Sequence, residues 1–180
     1  CSDWQEETID FKMPNWMPGY YQLMYYSKAV ENFAAKSDNK NIAVKKLNEN
    51  SWQIKTQKNK PFTLSYDVKA DKQFVANSYL DASHAYIIPN SLFVYIDGHI
   101  NTSVSVKIEG VKKDFKIATG LEPIAGKTNE FTAPDFDILY DCPILIGDLE
   151  EFKYKHVGAT YEGKDGVLVN EGDLVEAIPS

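Results

Sequence analysis

The chain has 180 residues, 43% of them hydrophobic and 25% charged, the proportions of one globular domain long enough to bury a real core. Its net charge is −7 and all 19 of its basic residues are lysine, which argues against nucleic acid as a partner, because phosphate contacts dominate that affinity and arginine's planar fork is their usual tool. No apolar run approaches the roughly 20 residues that would span a bilayer, so no membrane span is expected.

Taken in chain order, the first strand is predicted over Glu7–Lys12. The run Met13–Tyr21 (MPNWMPGYY) then reads as a strand exit. Pro14 and Pro18 each fix φ and remove an amide donor, so the ladder stops. Gly19 after Pro18 suits a type II turn with positive φ at the glycine. Trp16, between the prolines, is expected to plug the end of a sandwich. A structural corner is the first reading of this run and a place in a substrate cleft the second. Lys28–Lys36 (KAVENFAAK) predicts a short helix with Ala29, Val30 and Phe33 on one side.

Further strands are predicted over Asn41–Leu47, Ser51–Thr56, Phe62–Ala70, Ser91–Ile96, Thr102–Glu109, Asp114–Ala118 and Glu151–Val157. Phe62, Leu64, Tyr66 and Val68 alternate with Thr63, Ser65, Asp67 and Lys69, which means one buried and one wet face. Turn residues separate the runs, among them Asn59-Lys60-Pro61 and Asp97-Gly98. Asp135 is placed to cap a single helical turn through Tyr140, and Asp173–Pro179 could open another helix. The pattern predicts a mostly β fold, an antiparallel two-sheet sandwich-like domain with one or two short helices.

Residues that could carry chemistry are scattered. His84, His99 and His156 show no pair at metal-ligand spacing, and there is no HExxH. Cys142 would need a histidine such as His84 or His156 brought beside it to act as a nucleophile, and a small buried side chain is the plainer reading. Cys1 and Cys142 do not make a disulfide framework. Cys1 also matches the first residue of a mature bacterial lipoprotein, although the strand pattern starts almost at once after it. The 11 tyrosines, 9 phenylalanines and 3 tryptophans suit a β core first, and a sugar-stacking face second.

The run MPNWMPGYY resembles a signature near the start of the M61 family of glycyl-aminopeptidase-like zinc metallopeptidases. Further runs resemble that family in the same order: Tyr25–Phe33 (YYSKAVENF), Tyr79–Tyr86 (YLDASHAY), Asn90–Gly98 (NSLFVYIDG), Ile117–Leu121 (IATGL) and Phe131–Pro143 (FTAPDFDILYDCP). The resemblance spans Ile9 to Gly147. Cys142 stands where the family usually has serine, and the match weakens after Gly147.

The resemblance implies an N-terminal β-rich domain followed by a thermolysin-like zinc domain. Residues 1–158 would be the former and 159–180 a linker toward the catalytic domain. Zinc, its ligands and the general base belong to that second domain, so no catalytic or metal residue is assigned to this chain and it needs no cofactor of its own. Its partners would be the catalytic domain of the same polypeptide and the peptide substrate, and the setting favoured is the periplasm or cell surface. Trp16, Tyr20, Tyr21, Tyr25, Tyr79, His84 and Tyr86 are the candidates for domain contact or cleft wall, with Pro14, Pro18 and Gly19 as turn residues. Family chains usually carry a strand upstream of Cys1, so an open edge is expected in the first sheet. The alternative is a stand-alone β-sandwich module that binds carbohydrate or peptide.

Overall fold

The computed structural model describes residues 5–17, 19–20, 22–56 and 60–155, with the strands 165–171 and 174–177; side chains are described as far as residue 150. The fold is mostly β and antiparallel, as the alternation predicts. One sheet runs in the order β4 (Val44–Asn48), β5 (Ser51–Lys55), β1 (Thr8–Lys12), β9 (Tyr95–Ile96). A second holds β3 (Lys40–Ile42), β2 (Val30–Ser37) and β6 (Thr63–Val68). A third runs β11 (Lys116–Thr119), β14 (Ile144–Gly147), β8 (His84–Ile87), β7 (Tyr79–Leu80), and a fourth β10 (Val104–Lys107), β13 (Glu130–Ala133), β12 (Glu122–Pro123). A meander of β15 (Glu150–Lys155), β16 (Asp165–Glu171) and β17 (Leu174–Ala177) follows.

The first two sheets enclose one core. In β1 and β5 the pairs Ile9↔Ile54 and Phe11↔Trp52 put four large apolar side chains on one face. They meet Ala35 and Phe62, with Leu64 and Ile42 at the margin, and Met13 and Tyr26 continue the same seam. Phe33 is stacked on Trp52 at 4.7 Å and on Tyr66 at 5.3 Å, contacts worth about 0.5–1.5 kcal/mol each beyond burial. The third and fourth sheets enclose a second core of Ala85, Val106, Ala133, Ile144 and Ile146, closed by Leu121, Leu139 and Tyr140.

One segment belongs to both cores. Phe93 and Tyr95 pack into the second, Val94 and Ile96 into the first. Period-two alternation directs successive side chains to opposite sides, so a four-residue run serves as a common wall. Its backbone is pinned from each side: Tyr66 Oη donates to the Leu92 carbonyl at 2.8 Å, and Tyr140 Oη to the Phe93 carbonyl at 3.0 Å.

Several sequence expectations are corrected here. Lys28–Lys36 is not a helix: Tyr26–Ala29 form a 3-10 turn and Val30–Ser37 is β2. The helix-like spacing of Val30 and Phe33 has a different origin. A bulge between Glu31 and Ala34, with Asn32 at φ +53°, inserts residues into the strand, and both side chains then reach one core. Ser91–Ile96 is strand only at Tyr95–Ile96, because Pro89–Leu92 form α1, one turn with proline near its start. Leu174–Ala177 is strand rather than helix, paired with β16, whose Val167 and Val169 alternate as a strand favours. β1 is flanked on both sides, by β5 and β9, and the edges of that sheet are β4 and β9. The helical turn α2 (Phe136–Tyr140) forms as expected, with the Asp135 carboxylate accepting from the Ile138 amide at 2.8 Å.

Ile54 is 0% exposed at the centre of the first core. Ile54→Ala is expected to cost about 2–5 kcal/mol through lost burial and a residual cavity, read as a lower urea midpoint at unchanged m-value.

Candidate functional site

The strand exit after β1 is anchored at its base. Met13 is tied to Asn50 by two hydrogen bonds: its amide donates to the Asn50 carbonyl at 3.0 Å, and the Asn50 side-chain Nδ2 donates to the Met13 carbonyl at 3.0 Å. The loop beyond closes on itself where the Met24 amide donates to the Asn15 carbonyl at 2.6 Å. At its tip the Tyr20 amide reaches the Met17 carbonyl at 3.4 Å with Gly19 at φ +75°. The space around Gly19 is open, so glycine is needed there for its backbone angle alone. Pro14 is partly buried at the base. Pro18 and Tyr21 lie outside the described residues.

Trp16 does not plug the sandwich. It is 59% exposed, and Met13, Tyr26 and Trp52 fill the position expected for it. The reason is the neck: Trp16 follows the Asn15–Met24 closure, beyond the last residue that reaches the core. Its carbonyl accepts from Asn90 Nδ2 at 3.2 Å, which ties the loop to the start of α1.

A second loop, held at its ends by the Asp71↔Tyr79 bridge and the Leu80 amide bond to Ala70, meets the first. The Tyr20 ring stands edge-on to Phe74 at 5.6 Å. Tyr26 links the two from beneath. It is buried, and its hydroxyl donates to the Ala76 carbonyl at 2.8 Å. Burial, and then the nearby Tyr20 and Tyr86 phenols, push its pKa up to about 12. The Tyr86 hydroxyl donates to the Val75 carbonyl at 3.4 Å. Tyr25 is exposed and sits in the left-handed region at φ +50°, with Lys28 Nζ 4.7 Å over its ring. For a bulky side chain that backbone costs about 1–3 kcal/mol.

The structure therefore brings Tyr20, Tyr26 and Tyr86 to one corner with Trp16 and Tyr25 on its rim. Sequence reasoning missed Leu23, Phe74, Val75 and Asn90. The signal for Phe74 and Val75 was present: two large apolar residues in succession inside a polar stretch, with no alternation to bury either.

Tyr79 and His84 belong to a neighbouring unit, the β7–β8 hairpin, organised on Asp81. Its carboxylate accepts from Ser83 Oγ and the Ser83 amide at 2.7 Å each, from Tyr79 Oη at 2.8 Å and from the His84 amide at 3.0 Å. These bonds, Ser83 Oγ foremost, hold its pKa well below the usual carboxylate range. His84 Nδ1 lies 2.9 Å from Ser83 Oγ. Tyr79, Asp81 and His84 edge a cleft of about 430 Å³ whose walls include Val111, Phe115 and Ile146.

Cys142 is half-buried beside Gly120. Burial first, then Asp141, pushes its thiol pKa up, the reverse of what a nucleophile needs. His99 is exposed past β9, and His156 is outside the described residues. Among the described residues no three His, Cys, Asp or Glu side chains gather as a metal would require. No described helix is long and apolar enough to cross a membrane.

The comparisons with known proteins bear on the whole chain. The family described as peptidase M61 N-terminal domain matches residues 1–148. A crystal structure of an aminopeptidase N family protein from Idiomarina loihiensis is similar over 93% of this chain, with a TM-score of 0.80 and 25% identity. The chain spans 28% of the length of that protein. No curated protein sequence matches significantly.

The Asp81 pKa is lowered on folding, so its contribution to stability is present above the unfolded value, about 3.9, and is lost as pH falls through the lower folded value. Asp81 is expected to stay ionised below that unfolded value, read from its carboxyl carbon shift. Asp81→Asn is expected to flatten the loss of stability on acidification below about pH 4 and to speed amide exchange at Ser83 and His84.

Proposed function

This chain belongs to the peptidase M61 N-terminal domain family, and from that membership we propose that it is the non-catalytic docking and scaffold domain of a zinc aminopeptidase. Its role is to pack on the catalytic domain and wall the substrate cleft beyond the free amine. The observation that carries this reading is the family match over residues 1–148, seconded by a likeness that covers nearly all of this chain but a minor part of a much longer aminopeptidase N family protein. Zinc and the groups that activate water are assigned to the catalytic domain. Residues 159–180 lead toward it.

What this chain's own residues supply is position. The corner of Trp16, Tyr20 and Tyr25 is tied down by hydrogen bonds and the hairpin of Tyr79, His84 and Tyr86 is ordered on Asp81, both on a two-core scaffold, the arrangement that holds recognition groups in place. An aminopeptidase must close its cleft past the substrate's amino end, and aromatic loops of a neighbouring domain are suited to do so.

The test uses the full-length parent with its metal. It is expected to release N-terminal glycine or alanine from short peptides and to lose that activity on chelation, regaining it with zinc. Activity indifferent to chelation sinks the zinc reading. Tyr20→Ala in the parent is expected to lower kcat/KM about tenfold, roughly 1.4 kcal/mol, at unchanged zinc content. Unchanged kinetics would remove the cleft wall and leave the docking role. A glycan array in which the parent binds a defined sugar without any peptidase activity would favour the binding-module alternative.

A further inference from the structure

The exposed apolar surface of this protein is not spread evenly. Eight large hydrophobic side chains are exposed among the described residues, and five of them lie on the two joined loops: Trp16, Leu23, Tyr25, Phe74 and Val75. Trp16 and Leu23 flank the Asn15–Met24 neck, and Phe74 touches Tyr20 of the same loop. Clustered exposure of this kind marks a surface made to be covered, whereas single exposed residues do not.

Two further observations fall on the same corner. Among the described residues, the buried side-chain acceptors without a donor are Asn15 Oδ1 and Asn90 Oδ1. Asn90 is 3% exposed and its amide nitrogen holds the Trp16 carbonyl. Tyr25, on the rim, keeps its left-handed backbone. The acceptors lie beneath the surface, whereas the strained Tyr25 ring stands on it, where contact with a partner would hold it. The shallow wall beside it carries Lys28, Lys69 and Lys72 against Asp71 alone, with Lys69 paired to Asp71 at 3.4 Å. On a chain of net charge −7 this is a local excess of positive charge, so the complementary rim is acidic.

We infer that the corner formed by Trp16, Leu23, Tyr25, Phe74 and Val75 is the face on which the catalytic domain of the parent polypeptide seats, through an apolar centre and an acidic margin. The inference rests on the docking reading above and names its surface. The occupant follows from that reading and from length: this chain spans 28% of the aminopeptidase N family protein it resembles, and a covering domain tethered to it meets the corner at high effective concentration. A second copy or a free ligand has no such advantage.

Hydroxyl-radical footprinting of the full-length parent decides this, with paired residues of one chemistry. In this domain by itself Leu23 is more exposed than Leu47, 61% against 39%. Docking on the corner predicts the reverse order in the parent: Leu23, Trp16 and Val75 lose their oxidation while Leu47 and Ile138 keep it, and Val75→Asp restores oxidation of Leu23. Leu23 oxidised faster than Leu47 in the parent overturns the inference. Protection found instead at Tyr79, His84 and Phe115 also overturns it and leaves the docking role standing on another face. Protection that follows concentration and a doubled mass assigns the corner to a second copy and overturns it too. A protected corner in a parent without zinc-dependent peptidase activity removes the enzymatic reading and keeps the interdomain contact.

Discussion

The run Phe93–Ile96 is the constraint on which the rest of the molecule depends. Each of its side chains commits to one core, and neighbours commit to opposite ones. Neither core is large, and a β-sandwich that small is marginal by itself. Sharing this extended run makes the two cohere, because a shift of one residue in it would exchange every side chain between cores. The tyrosine hydroxyls of Tyr66 and Tyr140 lock the register from the two sides. Burial raises the pKa of both phenols, so they remain neutral donors across the ordinary pH range.

The candidate surface is built outward from that lock. α1 lies immediately before the shared run, and its Asn90 holds the Trp16 carbonyl. Met13, the last buried residue of the strand exit, is tied to Asn50. Pro14, just past Met13, has no amide to continue the ladder, and Gly19 at φ +75° turns the chain at the tip, so the loop projects. Tyr26 then returns the chain to the core and carries the second loop with it through Ala76. The exposed aromatics are thus presented by buried hydrogen bonds, which is how an exposed loop is kept rigid enough to serve as a contact face.

The Asp81 hairpin obeys a different economy. Its order comes from four donors converging on one carboxylate at the surface, not from burial. Solvent screens such an arrangement, and it orients side chains more than it stabilises the fold. That suits a rim that must hold Tyr79 and His84 in place beside a cleft without sealing it.

The sequence by itself determined the β class, the strands with clean alternation, the Asp135 cap and the turn at Gly19, because these depend on neighbours within a few residues. It also determined the family, since its motifs occur in order along one chain. It did not determine β2, where the bulge at Asn32 imitates helical spacing and packing against Trp52 decides for strand. It placed Trp16 inside, because a tryptophan between prolines looks like a plug; only the tertiary neck shows that the chain turns away before the side chain can reach the core. Joining Tyr20 to Phe74, and Tyr26 to Ala76, was likewise a tertiary decision. Those residues lie some fifty positions apart, and only the fold brings them together, the Tyr26 hydroxyl on the Ala76 carbonyl and the Tyr20 ring against Phe74.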